Sequence, residues 1–573
     1  MKDFAALYAA LDAATGTDAK VVALVAYLQQ ADATDAAWGV YLLAGGRPPR
    51  AVPRAVMLAA ATEAAGLPDW LFDLSYQAVG DLSETIAHLL PPAPAHSAPG
   101  LALWMNQRLP ALRTQAPDQQ RATLQRWWAE LGSAERFLLG KLIGGGFRVG
   151  VSRLLVQRAL AQHAQLPPAL VAQRMMGYTQ ARHRPDAAAL AALLAPDDGA
   201  AGAPTSPGQP YPFYLAHALN LASAMPSALQ DQLGPVDDWQ AEWKYDGMRA
   251  QLVRRAGGTW LWSRGEELLA GRFPEVEALA MALPDGTVLD GELLVWLPGQ
   301  AEPAAFALLQ QRINRKSLST ALLSTAPVVF VAYDLLELAG ADQRALPQQQ
   351  RRQLLQTLLD GRPWRLSPLL QARSWDDLAV QRERSRALGV EGLMLKHRRA
   401  PYGLGRTKTP GLAQGGWWKW KVAPMRVDGV LLYAQAGHGR RAGLYTDYTF
   451  AVWNRRPHDA AEAQSVVDAI VRREPPAADG LQLVAFTKAY SGLSDAEFTQ
   501  VDQLIRRSTL ERFGPVRSLK PSLLLEIGFE GIQLSARHKS GLALRFPRML
   551  RLRPDKPLHE GDTLESLRAM IKP

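Results

Sequence analysis

The chain contains no cysteine among its 573 residues. That excludes disulfides, thiolate nucleophiles and cysteine-held zinc, and it suits a reducing compartment. No stretch approaches the ~18 uninterrupted apolar residues that a membrane span needs, so no membrane partner is expected. The opening MKDFAALYAALDAA carries Asp3 and Asp12 and lacks the basic-then-apolar order of a signal peptide, which points to a cytoplasmic protein. Internal repeats are missing as well. Acidic residues fall short of basic ones, 54 against 64, leaving a net charge of +10. That surplus favours a polyanionic partner such as nucleic acid. What is present is the balance of a folded globular protein, 48% hydrophobic and 21% charged. The length exceeds one ordinary core and predicts two to four domains.

Three textures follow one another along the chain. Residues 1–205 read as helical, with apolar residues at three- and four-residue spacing in FAALYAALDAA, VVALVAYLQQA and RATLQRWWAELG. This stretch ends in APDDGAAGAPTSPGQP, a linker composition without periodicity. Residues 206–423 alternate short β-like runs (QAEWKY, GTWLWSR, GTVLDGELLVWL, VVFVAYDLL) with helical stretches such as SWDDLAVQRERSRAL, as a mixed α/β domain would. Residues 424–573 turn mainly β, with RVDGVLLYAQAG, GLYTDYTFAVW and PSLLLEIGFEGIQL interrupted by a helix, DAEFTQVDQLIRR. A small barrel with one inserted helix, of oligonucleotide-binding type, is predicted there.

The segment Glu242-Trp243-Lys244-Tyr245-Asp246-Gly247-Met248-Arg249 suggests a nucleophilic amine at a strand end, followed by a turn tight enough for a phosphate to approach. Alone it is equally an exposed turn between strands. Its context decides: Ser263-Arg264-Gly265-Glu266, Asp290-Gly291-Glu292, Tyr333-Asp334, Glu391-Gly392-Leu393-Met394-Leu395-Lys396 and Trp418-Lys419-Trp420-Lys421 follow in order. An amine that attacks a phosphate must be unprotonated, whereas a free lysine has a pKa near ~10.4. Nearby cations lower it, and Lys419 and Lys421 are candidates for that field. Carboxylates such as Glu292 and Glu391 suit a hard divalent cation.

In this set and order of motifs the chain resembles the ATP-dependent DNA ligases of the covalent nucleotidyltransferase superfamily. The resemblance implies a multi-domain fold: an all-α N-terminal domain, an α/β nucleotidyltransferase (adenylation) domain with antiparallel sheets, and a C-terminal OB-fold β-barrel. It implies ATP as cosubstrate, AMP carried covalently on Lys244, and Mg²⁺ (Mn²⁺ as an alternative). Glu242 corresponds to the reader of the adenine amino group, Arg249 and Arg264 to contacts with sugar and phosphate, and Tyr333 to the ring that stacks on adenine. Glu292 corresponds to the ribose and metal carboxylate, and Glu391 to the second metal carboxylate. Lys419 and Lys421 match the paired lysines, and Arg406 the arginine before them, with Lys408 as an alternative because the interval to Lys419 is long. Trp417, Trp418 and Trp420 read as packing residues.

Near the C-terminus, Arg545-Phe546-Pro547-Arg548 followed by Arg553, Asp555 and Lys556 resembles the last ligase motif, which orients the pyrophosphate leaving group. Read without that resemblance, the run is a solvated basic face. In the helical region, Lys141-Leu-Ile-Gly-Gly-Gly-Phe147-Arg148-Val-Gly150 is similar to the DNA-binding signature of larger cellular ligases. Lys141, Gly145 and Arg148 are its candidates for a phosphate grip through a helix terminus. WGVYLLAG from Trp38 and VGDLSET from Val79 extend the likeness. Nicked duplex DNA is the implied partner of a monomeric enzyme. The Ala- and Arg-rich composition adds a bacterial, nucleoid-associated setting. An RNA ligase or a capping guanylyltransferase shares the lysine chemistry, but Glu242 and the helical region favour adenine and duplex DNA.

Overall fold

The computed structural model describes residues 1–92, 99–144, 147, 149–180, 183–196, 206–219, 225–313, 315, 318–406, 411–412, 415–437, 444–475 and 479–571. They form two compact units: Met1–Pro49 with Ala98–Pro110 and Gly145–Ala423, and Arg50–Ser97 with Ala111–Gly144 and Pro424–Pro573. Among the described residues no helix is long and apolar enough to cross a membrane.

In the first unit, helices Lys2–Ala13, Thr17–Gln30, Ala33–Leu43 and Arg153–Ala164 bury apolar stripes such as Phe4, Leu7, Tyr8 and Leu11. Their starts are capped where the sequence allows it. Asp32 accepts from the N–H groups of Thr34 and Asp35, and Ser152 from that of Leu155.

The rest of this unit is built on two sheets whose strands are, in chain order, β1 (His217–Ala218), β2 (Trp239–Tyr245), β3 (Met248–Arg255), β4 (Gly258–Ser263), β5 (Thr287–Val295), β6 (Val328–Leu338), β7 (Ala341–Asp342), β8 (Arg365–Leu366), β9 (Leu369–Leu370), β10 (Val390–His397) and β11 (Trp417–Lys421). One sheet has the order β1-β11-β10-β2-β9 and the other β4-β3-β5-β6-β7, with β8 beside β6. All pairings are antiparallel except β1 with β11 and β6 with β8. β5 packs Leu289, Leu293 and Val295 into an apolar core shared with Leu252, Phe273 and Phe330. The chain passes from one sheet to the other within Asp246-Gly247, between β2 and β3. Gly247 permits this crossing because a Cβ there would lie 2.5 Å from the Leu293 carbonyl.

The second unit holds helices Arg54–Ala65, Asp69–Val79, Leu82–Leu89, Pro117–Glu130 and Ser133–Gly144. It also holds a sheet of β12 (Met425–Ala436), β13 (Tyr445–Trp453), β14 (Leu483–Ala489), β15 (Thr509–Phe513), β16 (Val516–Leu519), β17 (Leu524–Phe529) and β20 (Arg548–Leu552), with β18 (Gly531–Leu534) and β19 (Leu542–Arg545) as a separate hairpin. β12 is long enough to change partners: Met425–Val430 pairs with β17, and Tyr433–Gln435 with β16. Among the described residues no strand pairing closes this sheet into a ring. β20 meets the segment after β14 through the Met549 N–H, which donates to the Ser491 carbonyl at 2.9 Å.

The expectation of one inserted helix in this region needs correction. Besides Asp495–Ser508, the helices Ala460–Arg472 and Leu564–Ala569 are present. Ala460–Arg472 is capped by Asp459 and buries Ala463 and Val467, an i, i+4 pair whose short periodic signal is easily passed over.

Candidate active site

Side chains alternate along a strand, so Glu242 and Lys244 share one face of β2. β10 lies beside β2 with Met394 opposite Glu242, and β11 lies beside β10 with Lys419 opposite Met394. The β2–β10 register slips between Val390 and Leu393, and Glu391 and Gly392 fill the irregularity. This brings the Glu391 carboxylate to Lys244, with Oε2 2.5 Å from Lys244 Nζ and 3.3 Å from Lys421 Nζ. Only glycine fits at 392: its φ is 135°, and a Cβ would meet the Trp420 carbonyl at 2.3 Å.

The charges around Lys244 are unbalanced. Burial pushes the Glu391 carboxyl up, but Lys244 and Lys421 outweigh burial and hold it below the ordinary carboxylate value. Lys419 is pulled down, first by burial and then by repulsion from Lys421, Arg406, Lys244 and Arg264. Four cations thus act on Lys419, and the Glu391 carboxylate binds two of them, Lys244 and Lys421. Arg264 and Arg406 are exposed at the edge of this cluster. The backbone N–H of Arg264 donates to the Arg249 carbonyl at 3.0 Å.

The second sheet contributes a buried polar knot and the Glu292 carboxyl. Asp290 is fully buried and takes a bidentate Arg249 at 3.1 and 2.6 Å, the Tyr333 hydroxyl at 3.1 Å and the Tyr402 hydroxyl at 2.6 Å. Arg249 also donates to the Tyr214 carbonyl at 2.7 Å. Burial, foremost, holds both tyrosine hydroxyls far above their usual pKa. Glu292 lies opposite Arg249 across β3 and β5. Burial pushes its carboxyl up to about 8, with Asp290 and Glu391 adding and Lys244 and Arg249 opposing.

Glu242 is buried, and its Oε1 accepts from Lys396 Nζ at 2.8 Å. Lys396 also donates to the Tyr333 carbonyl at 3.2 Å and lies 4.3 Å from the Tyr333 ring centre. Trp417 stands edge-on to Tyr333 at 6.4 Å. Lys396, Asp290 and Tyr402 are residues of this site to which the sequence reading gave no role. Lys396 lies in the quoted EGLMLK run, two residues from Met394 and so on the same face, and strand periodicity could have flagged it. Trp417 and Trp420 are each 1% exposed and pack as expected.

The remaining expected residues belong to the second unit or fall outside the described residues. Lys141 is ion-paired with Asp81 and sits 5.0 Å from the Phe137 ring centre, in the second unit. Gly145 and Arg148 lie outside the described residues. In the same unit Arg545 packs on Phe546, Arg548 is 3.9 Å from Glu530, Asp555 binds Arg553 at 3.0 Å, and Lys556 binds Asp428 at 2.8 Å. Among the described residues no group of three or more His, Asp or Glu side chains is arranged to hold a metal.

Comparison with known proteins places this geometry. Residues 220–421 match a family model described as ATP dependent DNA ligase domain, 1–161 one for the DNA ligase N terminus, and 475–556 one for the ATP dependent DNA ligase C terminal region. A "Probable DNA ligase" of Streptomyces avermitilis is 30% identical over 442 residues, 76% of this chain and 77% of that protein. The chain belongs to the ATP-dependent DNA ligases. A "Probable DNA ligase" of Koribacter versatilis is 29% identical and spans the ligase almost end to end, 96% of this chain and 93% of its relative. One from Opitutus terrae is 35% identical over 58% of this chain, which is 32% of that longer protein. The ligase also shares its fold with a solved structure named "Pmar-Lig_PreS3", with a TM-score of 0.58 at 15% identity over 96% of this chain and 99% of the other.

Proposed function

We propose that this ligase seals nicks in duplex DNA by taking AMP from ATP onto Lys244, passing it to the 5′-phosphate, and joining the 3′-hydroxyl with release of AMP. The observation that carries this is the set of cations around Lys244: Arg264, Arg406 and Lys421 all act on Lys419 there, beside the Glu391 carboxylate that binds Lys244 and Lys421. Such a cluster is relieved by a bound triphosphate, and it stabilises the charge that gathers on the α-phosphate during attack. Splitting the sealing reaction into three displacements is the ordinary gain of covalent catalysis.

Glu242 and Lys396 offer an acceptor beside a donor in one buried corner, which suits the amino and ring-nitrogen edge of a purine. The Tyr333 ring is held by its hydroxyl on Asp290 and presents an aromatic face for stacking. Four hydrogen bonds of the Arg249 guanidinium go to Asp290, Tyr214 and Tyr402, so it holds this wall and has one Nη1 N–H left for the nucleotide.

The donor set fits a hard divalent cation. Among the described residues no hydrogen-bond donor meets the Glu292 carboxyl, and loss of water raises its pKa although Lys244 and Arg249 pull the other way. Glu292 and Glu391 would hold Mg²⁺ or Mn²⁺, which when bound supplies Lewis-acid neutralisation of phosphate oxygens. A cation on Glu391 also competes with its ion pair to Lys244.

By function we divide the chain into a DNA-binding region over 1–205, an adenylation domain over 206–423 and an OB-fold domain over 424–573. The partner switch of β12 and the Met549–Ser491 bond support the barrel reading. Arg545, Arg548, Asp555 and Lys556 would turn toward the leaving pyrophosphate, Lys556 giving up Asp428 to do so. Lys141, Gly145 and Arg148 would grip duplex phosphates. The test is sealing of a labelled nicked duplex with ATP and Mg²⁺. Sealing by the wild type that is lost in Lys244→Ala supports the reading, and equal activity of both overturns it.

A further inference from the structure

The turn that carries Arg264 is held from outside the adenylation sheets. Glu266, two residues on, adopts a left-handed backbone with φ 61°. That conformation is unfavourable for a non-glycine residue and persists where surrounding contacts over-determine it. Those contacts come from the helical region. Arg153, the first residue of helix Arg153–Ala164, places Nη1 2.5 Å from Glu266 Oε2. Its other terminal nitrogen donates to the Met175 carbonyl. Burial pushes the Glu266 carboxyl above its ordinary value, while Arg153 and the nearby Gly177 N–H favour its charged form. Both partners of the ion pair are largely withdrawn from water, at 21% and 16% side-chain exposure. Trp262, two residues before Arg264, packs so closely on Gly177 that a Cβ there would meet its ring at 3.3 Å. Helical-region residues therefore grip the turn on both sides of Arg264, while the Arg264 side chain stays exposed within electrostatic reach of Lys419.

We propose that Arg153 and Glu266 are positioning residues for the ATP step: their ion pair fixes the turn that aims Arg264 at the nucleotide, so the helical region acts on adenylation as well as on DNA. This rests on the reading that Arg264 faces bound ATP. A region that only clamps DNA makes no difference to a step in which DNA takes no part, and this makes the idea separable.

The experiment is self-adenylation of the full chain by ATP and Mg²⁺ without DNA, for wild type, Arg153→Met, Glu266→Gln, the double variant and Arg153→Lys, with thermal melting alongside. Wild-type labelling that depends on Lys244 must come first; its absence would sink the ligase reading rather than this one. The expected result is a KM for ATP raised roughly tenfold in each single variant, with the rate at saturating ATP much less changed. The double variant should be no worse than either single, because both remove one interaction. Arg153→Lys, which keeps the charge and loses the fork, should fall between. If these variants melt earlier but keep the wild-type KM, the pair is merely structural and the proposal is overturned. If Arg153→Met fails to fold, the KM of Arg153→Lys and Glu266→Gln decides in the same way.

Discussion

At the scale of single residues, the site is governed by where charge is left uncompensated. Loss of water pushes the Glu292 carboxyl up from 4.5 to about 8, so its proton and a divalent cation compete for the same oxygens. The sign follows: cation affinity is weakest well below about 8, rises as pH climbs through that value, and levels off above it. Titrating Mg²⁺ dependence of self-adenylation across this range should show that rise in the wild type and its loss in Glu292→Gln, where nothing titrates. Lys419 gives the opposite slope. Its pKa is lowered, so its positive charge is lost earlier on the alkaline side than that of an ordinary lysine. Affinity for inorganic pyrophosphate should decline as pH rises through that lowered value, and Lys419→Gln should bind weakly with a flatter profile. A wild-type curve no steeper than that of the variant would contradict the assignment.

At the scale of elements, the catalytic arrangement depends on two places where a strand departs from regular pairing. Asp246-Gly247 carries the chain between sheets, and Glu391-Gly392 interrupts the β2–β10 ladder opposite Lys244. Replacing Gly392 by alanine drives a Cβ to 2.3 Å from the Trp420 carbonyl and strains a φ of 135°. A loss of at least about 1–3 kcal/mol is expected, measured by denaturant melts, with adenylation falling further than stability because Glu391 and Lys421 shift together. Unchanged activity in Gly392→Ala would show that the irregular pairing does not position Glu391. The strands were legible in the sequence: QAEWKY, VVFVAYDLL and GTVLDGELLVWL carry β-branched and aromatic residues bounded by turns, and they fold as β2, β6 and β5. The motif residues were also legible, since chemistry restricts their type and order. The knot around Asp290 was not. Arg249 and Tyr402 lie 153 positions apart, and Lys396 and Glu242 lie 154 apart. Such partners are brought together by sheet register, which no local pattern states. The edge pairing of the C-terminal sheet was hidden for the same reason: closure depends on which edges meet, not on how many strands alternate.

At the scale of the whole molecule, the net charge of +10 is the dominant long-range property. Binding to nicked duplex should be largely electrostatic, its logarithm falling linearly with the logarithm of salt concentration. Pyrophosphate-driven reversal of adenylation, a small-molecule step, should respond far less. A shallow salt slope for DNA, measured by anisotropy, would contradict a phosphate-tracking mode. The claim on which all of this depends is that AMP becomes attached to Lys244. The most direct measurement incubates the protein with α-labelled ATP and Mg²⁺, denatures it, and reads label retained on the wild type and on Lys244→Ala. The predicted result is label on the wild type alone, discharged when nicked duplex is added and sealed. Absence of label from the wild type, even after pre-bound AMP has been stripped with pyrophosphate, or equal label on Lys244→Ala, would contradict it.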